Sequence, residues 1–357
     1  FAACNKSDLT AITEHTKDLQ QFTVTPIDGQ YIVELNETPE LKSFKRAPQY
    51  QDRIESLKTK ILDHFSSINL SDNQLLYVYG ATVVGFTAQL NEEQVEFLKG
   101  SDLVKHVEQD QMLVLKKPDN PGGGKGGGGD SEDPDQTTPY GITRVGGTAD
   151  GTGKRAWIID SGVDLDHNDL NVDAAKCISY LTGSKSNRSP EDQHGHGTHV
   201  SGTVAAKDNS IGVVGVAANA TIVAVRVLDR RGSGSTSGVI KGVDHVAANA
   251  SSGDVANMSL GGGVSSTLDN AVIKAAQGGT KFVLAAGNES DDANYHSPAR
   301  ANHSNIYTIS AMDANDNFAS FSNYGNPPVD YCAPGVSVSS LWKNGGYRTI
   351  SGTSMAA

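Results

Sequence analysis

Two patterns of apolar and polar positions divide the chain, with a glycine-rich stretch between them. In the first part Tyr31-Ile32-Val33-Glu34-Leu35 reads as a strand, Leu75–Tyr79 and Val83–Leu90 as two more, and Val104–Val107 as a fourth. Between them 49–65 reads as a helix, because Ile54, Leu57, Ile61 and Leu62 share one face at helical spacing, and Glu92–Leu98 reads as a shorter one. The order βαββαβ is that of a small ferredoxin-like α+β unit.

In the second part the strands are more apolar and alternate with helices. Arg155–Ile159, Thr221–Leu228, Asp254–Leu260, Lys281–Ala286 and Ile306–Ala311 read as short strands. His196–Ala206, 236–250 and 267–277 read as helices, the second with Val239, Val243 and Val246 on one side. Such alternation predicts a three-layer α/β fold, a mostly parallel sheet with helices on both faces. In open sheets of this kind a site forms beyond the carboxyl ends of the strands.

The stretch between holds Pro118, Pro121, seven glycines around Lys125, and then Asp130, Glu132, Asp133 and Asp135. With no apolar residue to bury it reads as a flexible linker spanning roughly 25 Å. A phosphate-cradling role for the glycines fails, because no strand precedes them, no helix follows and no Gly-Lys-Ser/Thr closes the run. The predicted organisation is an N-terminal segment over 1–28, a small domain over 29–117, the linker over 118–138 and a larger domain over 139–357.

A length of 357 residues accommodates two ordinary cores. A net charge of -12 argues against nucleic acid as a partner, since phosphate contacts need a basic face. No apolar run is long enough to span a membrane. Cys4, Cys177 and Cys332 are too few for a disulfide scaffold, and spacing leaves open whether Cys177 and Cys332 pair. The opening Phe1-Ala2-Ala3 fits the small-residue tail of a signal peptide, and it reads as an ordinary terminus before it reads as a lipoprotein cleavage site at Cys4.

Three strings carry the chemistry: AWIIDSGVD over 156–164, HGTHVSGT over 196–203 and SGTSMA over 351–356. They supply Asp160, His196 and Ser354 in that chain order. A serine hydroxyl is a poor nucleophile alone; it needs an imidazole to take its proton and a buried carboxylate to fix the imidazole's tautomer. Asp160 follows a fully apolar strand, and Ser354 at a helix start would gain free N–H groups for a developing oxyanion. A metal reading of His194, His196 and His199 fails for want of a glutamate between them. His199 is expected to be a hydrogen-bonded helix residue and His194 a loop residue.

With Asn257–Gly263, Ala285–Asn288 and Ser320–Gly325, these strings resemble the subtilisin-like serine peptidases, above all the proteinase K-like branch, from about Tyr140 onward. Gly85–Leu90 and Val107–Asp110 resemble the inhibitory propeptide of such precursors. The resemblance implies an endopeptidase precursor with the triad Asp160, His196 and Ser354, and an oxyanion hole formed by Asn288 and the Ser354 backbone N–H. It implies substrate edges at Gly232-Ser233-Gly234 and Ser259-Leu260-Gly261, whose free main-chain groups take an extended peptide as an added strand, and a pocket at Ala285-Ala286-Gly287. It implies protein or peptide substrates, the chain's own propeptide as folding aid and intramolecular inhibitor, secretion, and a monomer. No cofactor is needed for the chemistry; Asp330 corresponds to a calcium ligand of the branch, with the neighbouring 299–306 segment altered in length. Because the family continues past Ser354 with a long buried helix, the resemblance also implies a fragment open at both ends, inactive or aggregating if expressed alone. Three rivals are weaker. A sedolisin-type acid peptidase would lack His-Gly-Thr-His, a non-catalytic binding module would have lost a triad member, and a standalone inhibitor over 29–115 would lack the attached larger domain.

Overall fold

The first strand, β1 (Thr25–Leu35), starts before the boundary expected at 29. The computed structural model describes residues 25–47, 49–115, 133–183 and 188–357, so the expectations for the extreme amino end and for the glycine-rich run fall outside the described residues. Helix α1 (Tyr50–His64) buries Ile54, Leu57 and Ile61, the face its spacing marks. Strands β2 (Leu75–Tyr79) and β3 (Gly85–Gln89), helix α2 (Glu92–Lys99) and strand β4 (Val104–Val114) follow. A reciprocal cap starts α2: Asn91 Oδ1 accepts from the Gln94 N–H at 2.8 Å while Gln94 Oε1 accepts from the Asn91 N–H at 3.1 Å. The strands pair antiparallel in the order β4-β1-β3-β2, with Phe44, Leu57, Phe86 and Leu98 in the core beneath.

The larger domain includes residues 133–138, which were expected in the linker. Gly212 N–H donates to Pro134 C=O at 2.7 Å and Thr137 N–H to Gly212 C=O at 2.8 Å, so 133–138 belongs to the folded part and not to the linker. Its elements are β5 (Arg155–Asp160), α3 (His196–Ala205), β6 (Thr221–Arg226), β7 (Ser233–Ser235), α4 (Thr236–Asn249), β8 (Val255–Met258), α5 (Ser266–Gln277), β9 (Lys281–Ala285), β10 (Ile306–Met312) and β11 (Val329–Pro334). A hairpin of β12 (Val338–Trp342) and β13 (Gly346–Ile350) follows. The main sheet runs β11-β10-β9-β8-β5-β6, all parallel, and beyond β6 it is extended by the short parallel strands Asn171–Val172 and Ile178–Ser179. Along β5 the residues alternate between two cores: Trp157 and Ile159 join α4 and α5, whereas Ala156 and Ile158 join Val200 of α3 and Leu341 of the hairpin. Both faces are covered, and β5 therefore reads as one continuous apolar run.

Two features escape the sequence pattern. The hairpin, whose Val338 and Leu341 pack in one core with Val200 of α3 and with Ile158 and Ile222, was not expected. Strand β4 runs to Val114, past the expected Val107, because the polar Glu108 and Asp110 and the Gln111 carbonyl find partners across the domain boundary. Its end pairs antiparallel with β7, Met112 opposite Ser235, Leu113 opposite Gly234 and Val114 opposite Ser233, so the small domain's sheet continues into the larger domain. Cys177 and Cys332 are not joined; Cys177 Sγ accepts from the Ala224 N–H at 3.1 Å.

Candidate active site

Asp160 ends β5 with no exposed surface, and its carboxylate accepts from the Ser161 N–H at 2.6 Å. Both its oxygens lie 2.9 Å from His196 Nδ1. A carboxylate can only accept, so the proton sits on Nδ1 and Nε2 is left with its lone pair. Burial pulls the His196 pKa down, but the charge and hydrogen bonds of Asp160 outweigh it, and the net shift is upward from the ordinary 6.5.

The approach of α3 to β5 depends on Gly197, where any Cβ would collide with the Gly162 carbonyl and come within 3.3 Å of Asp160 Cβ. The helix start is held by Asp192, which accepts from the N–H groups of His194 (2.9 Å), Gly195 (2.8 Å) and Thr198 (2.9 Å) and from the hydroxyls of Ser161 and Thr198. Arg226, fully buried, pins the preceding loop through the carbonyls of Ser189 and Glu191, both at 2.9 Å. Sequence reasoning missed Asp192 and Arg226; a buried arginine closing an apolar strand was the available signal. His199 is a helix residue, as expected. Burial and then the neighbouring His196 push its pKa down to about 3, and Nε2 donates to the carbonyls of Val338 (3.2 Å) and Arg348 (3.0 Å). His194 is in the loop.

Ser354 lies in a 3-10 turn, Thr353–Met355. Its hydroxyl donates to Ser259 C=O at 3.1 Å, while the Ser259 hydroxyl donates to Ser354 C=O at 3.0 Å. Asn288 follows β9, and its Oδ1 accepts from both the N–H and the hydroxyl of Thr353 at 2.9 Å. Because the Thr353 N–H can only donate, it fixes which way the amide faces, and Nδ2 is left as the donor. Gly287, at φ +107°, leaves no room for a Cβ beside Asn323 and Glu289. Ser354, His196, Asn288, Ser259–Gly261 and Ala285–Gly287 all line one cleft.

That cleft holds the end of β4. The Leu115 N–H donates to Gly232 C=O at 2.9 Å, so the segment pairs with the first expected edge, and Leu113 packs against Gly262, the residue after the second. Behind it the small domain covers the N-termini of α4 and α5. Asp110 is buried, accepting from the Ser237 N–H at 3.0 Å and from Gln30 at 2.5 Å, and burial raises its pKa. Glu108 accepts from the Ser265 hydroxyl at 2.5 Å. Near the other end of α4 the Asp244 carboxylate sits in the β2–β3 turn, receiving Tyr50 OH (2.6 Å) and the N–H groups of Ala81 (2.7 Å) and Thr82 (2.8 Å).

Asp330 is on the edge strand β11, outside the cleft. Its Oδ2 accepts from the Thr308 N–H at 2.8 Å, and the Thr308 hydroxyl donates to Ala299 C=O at 2.9 Å. Among the described residues no three His, Cys, Asp or Glu side chains cluster for a metal, and no helix is long and apolar enough to cross a membrane.

Comparison with known proteins places residues 156–357 in the subtilase family and 30–116 among the peptidase inhibitor I9 domains. The alkaline serine exoprotease A of Vibrio alginolyticus is 41% identical over 79% of the chain, which spans about half (51%) of that protein. Proteinase R of Parengyodontium album is 34% identical over 92% of the chain and 76% of its own length. The extracellular serine proteinase of Thermus sp. (strain Rt41A) is 35% identical over 100% of the chain and 84% of its own. The crystal structure of a cold-adapted subtilisin-like serine proteinase matches with 47% identity and a TM-score of 0.51, covering 58% of this chain and 72% of that one.

Proposed function

The chain belongs to the subtilase family, and from that premise we propose that it is the precursor of a secreted serine endopeptidase, acting through Asp160, His196 and Ser354 and restrained by its own N-terminal domain. The observation that carries the reading is the His196–Asp160 pair at 2.9 Å on the same cleft as Ser354 and Asn288, with the end of β4 laid along it like a substrate.

In catalysis the Ser354 hydroxyl turns from Ser259 C=O to His196 Nε2, a rearrangement ordinary for a site without a reacting carbonyl. It attacks the scissile carbonyl as Nε2 takes its proton, and Asp160 stabilises the imidazolium without accepting the proton. The Asn288 Nδ2 and the Ser354 N–H receive the oxyanion. His196 then protonates the leaving amine, and water releases the acyl group by the same route. The edge at Gly232–Ser235 binds substrate main chain, as it binds β4, which makes recognition broad in sequence.

The remaining parts of the reading concern organisation. Residues 29–117 assist folding and then block the cleft, and the tether is cut. The mature enzyme is a monomer of the proteinase K-like branch, and Asp330 would be the residue to hold a structural calcium, which would supply stability and no chemistry. A serine-directed fluorophosphonate should label full-length protein at Ser354, with labelling and self-processing both lost in Ser354→Ala. A Ser354→Ala precursor processed at the wild-type rate would end the reading.

A further inference from the structure

Resting on the peptidase reading, we propose that Asp192 is a positioning residue for the reaction: as the resident cap of α3 it reverses the field of the helix end on which His196 stands, and so stabilises the imidazolium that forms when Ser354 gives up its proton. His196 is the first residue of α3. A helix start carries about half a positive charge and holds a histidine placed there neutral. A general base in that position therefore meets a penalty at the moment it takes the proton. Asp160 offsets the charge of the ring at Nδ1 but leaves the helix end itself unneutralised.

Asp192 is 3% exposed. Its Oδ1 accepts from the His194 and Gly195 N–H groups and from the Ser161 hydroxyl at 3.0 Å, and its Oδ2 from the Thr198 N–H and, at 2.7 Å, the Thr198 hydroxyl. The Ser161 hydroxyl in turn accepts from the Gly197 N–H at 3.0 Å, so the carboxylate reaches a further N–H of the first turn through one serine. All five donors to Asp192 are neutral, so its charge is spread over the helix start and not cancelled. The starts of α4 and α5 take Asp110 and Glu108 from the small domain, whereas α3 keeps a carboxylate of its own when that domain leaves.

The remaining charges near the ring do not do this work. His199 is neutral, because burial and then His196 push its pKa down to about 3. The His194 ring lies 6.2 Å away, and the Arg348 guanidinium is held 4.6 Å over Trp342. Glu289 belongs to the wall of Gly287 and Asn323. Burial lowers the pKa of His196, and Asp160 first and then Asp192 raise it, with the balance upward.

The test reads His196 without requiring turnover. In the full-length Ser354→Ala chain, NMR of labelled histidine should follow the His196 ring, identified by its loss in His196→Gln. Asp192→Asn keeps Oδ1 for the His194, Gly195 and Ser161 donors. It should weaken proton binding by His196 about 3- to 30-fold, the range of one charge at a partly buried helix end, while the downfield Nδ1 proton signal of the Asp160 pair persists. Asp192→Ser, a neutral cap, should give the same shift and carries the test where the asparagine variant does not fold. Thr198→Val takes one hydroxyl from the same bracket and keeps the charge, so His196 should titrate within ~2-fold of its usual midpoint. An unchanged titration in the Asp192 variants overturns the proposal. So does loss of the Nδ1 signal, or an equal shift in Thr198→Val, because the role would then be one of shape alone. In the processed enzyme Asp192→Asn should lower kcat by the same factor with KM within ~2-fold, and move the pH midpoint of kcat/KM down; a change in KM alone overturns it. Fluorophosphonate labelling separates the two readings: labelled wild type with an unchanged titration sinks this inference alone, and unlabelled wild type sinks the peptidase reading as well.

Discussion

Asp244→Ala should unlock the small domain from the larger one without touching the catalytic cleft. Asp244 has no exposed surface and receives five donors from the small domain: Tyr50 OH, the N–H groups of Gly80, Ala81 and Thr82, and the Thr82 hydroxyl. Burial and then the Asp244 carboxylate push the Tyr50 phenol up, so it stays protonated and donates. Lys241 completes the cluster, its Nζ donating to Tyr50 (2.8 Å) and to Val78 C=O (2.7 Å) and lying 4.0 Å from Asp244. Removing the carboxylate leaves buried donors without an acceptor and a buried ammonium without its counter-charge. Breaking such a pair on one side costs about 3–5 kcal/mol, which at ~1.4 kcal/mol per decade weakens the complex between on the order of 100-fold and several thousand-fold. The assay is dilution of the self-processed complex, reading the concentration at which hydrolysis of a short peptide reaches half its maximum. That concentration should rise by the stated factor. Adding Lys241→Met should recover part of the loss, because the stranded charge is gone. A shift below ~5-fold would refute the reasoning, since no buried charge would then depend on Asp244.

Two further outcomes follow from the site. With the small domain removed, kcat/KM should rise with pH through a midpoint above 6.5, because His196 must be neutral to act and Asp160 holds its pKa up. The sign is opposite for stability: the His196–Asp160 attraction is fully present below the unfolded pKa and lost as pH rises through the folded one, so Tm should fall over the window in which activity appears. A midpoint below 6.5 would contradict the pairing. Gly197→Ala should lower kcat by ~100-fold, the cost of about 1 Å of misplacement, since the new methyl must push α3 off Gly162 and Asp160; crystals of the variant should show His196 Nδ1 displaced from Asp160, and unchanged turnover would refute the close approach.

Most of the fold was legible in the sequence because each element carries its own period. The continuous apolar run of β5 announced a strand covered on both faces, and Ile54, Leu57 and Ile61 announced the buried side of α1. The site was legible because its three chemical groups stand in strings whose order is itself informative, and Asp160, His196, Asn288 and Ser354 do line or adjoin one cleft.

The sequence by itself determined the local elements, the strings from which the proposed reacting groups are drawn and the two-part organisation, all of which depend on residues near one another along the chain. Only the tertiary structure decided how far β4 extends, that 133–138 join the larger domain, and what Asp110, Asp192, Arg226 and Asp244 are for. Each of these is polar and would read as surface. Their partners lie dozens of residues or more away, or, for Asp192, in a helix start whose position the fold fixes, and a polar group can be buried only where such partners meet it.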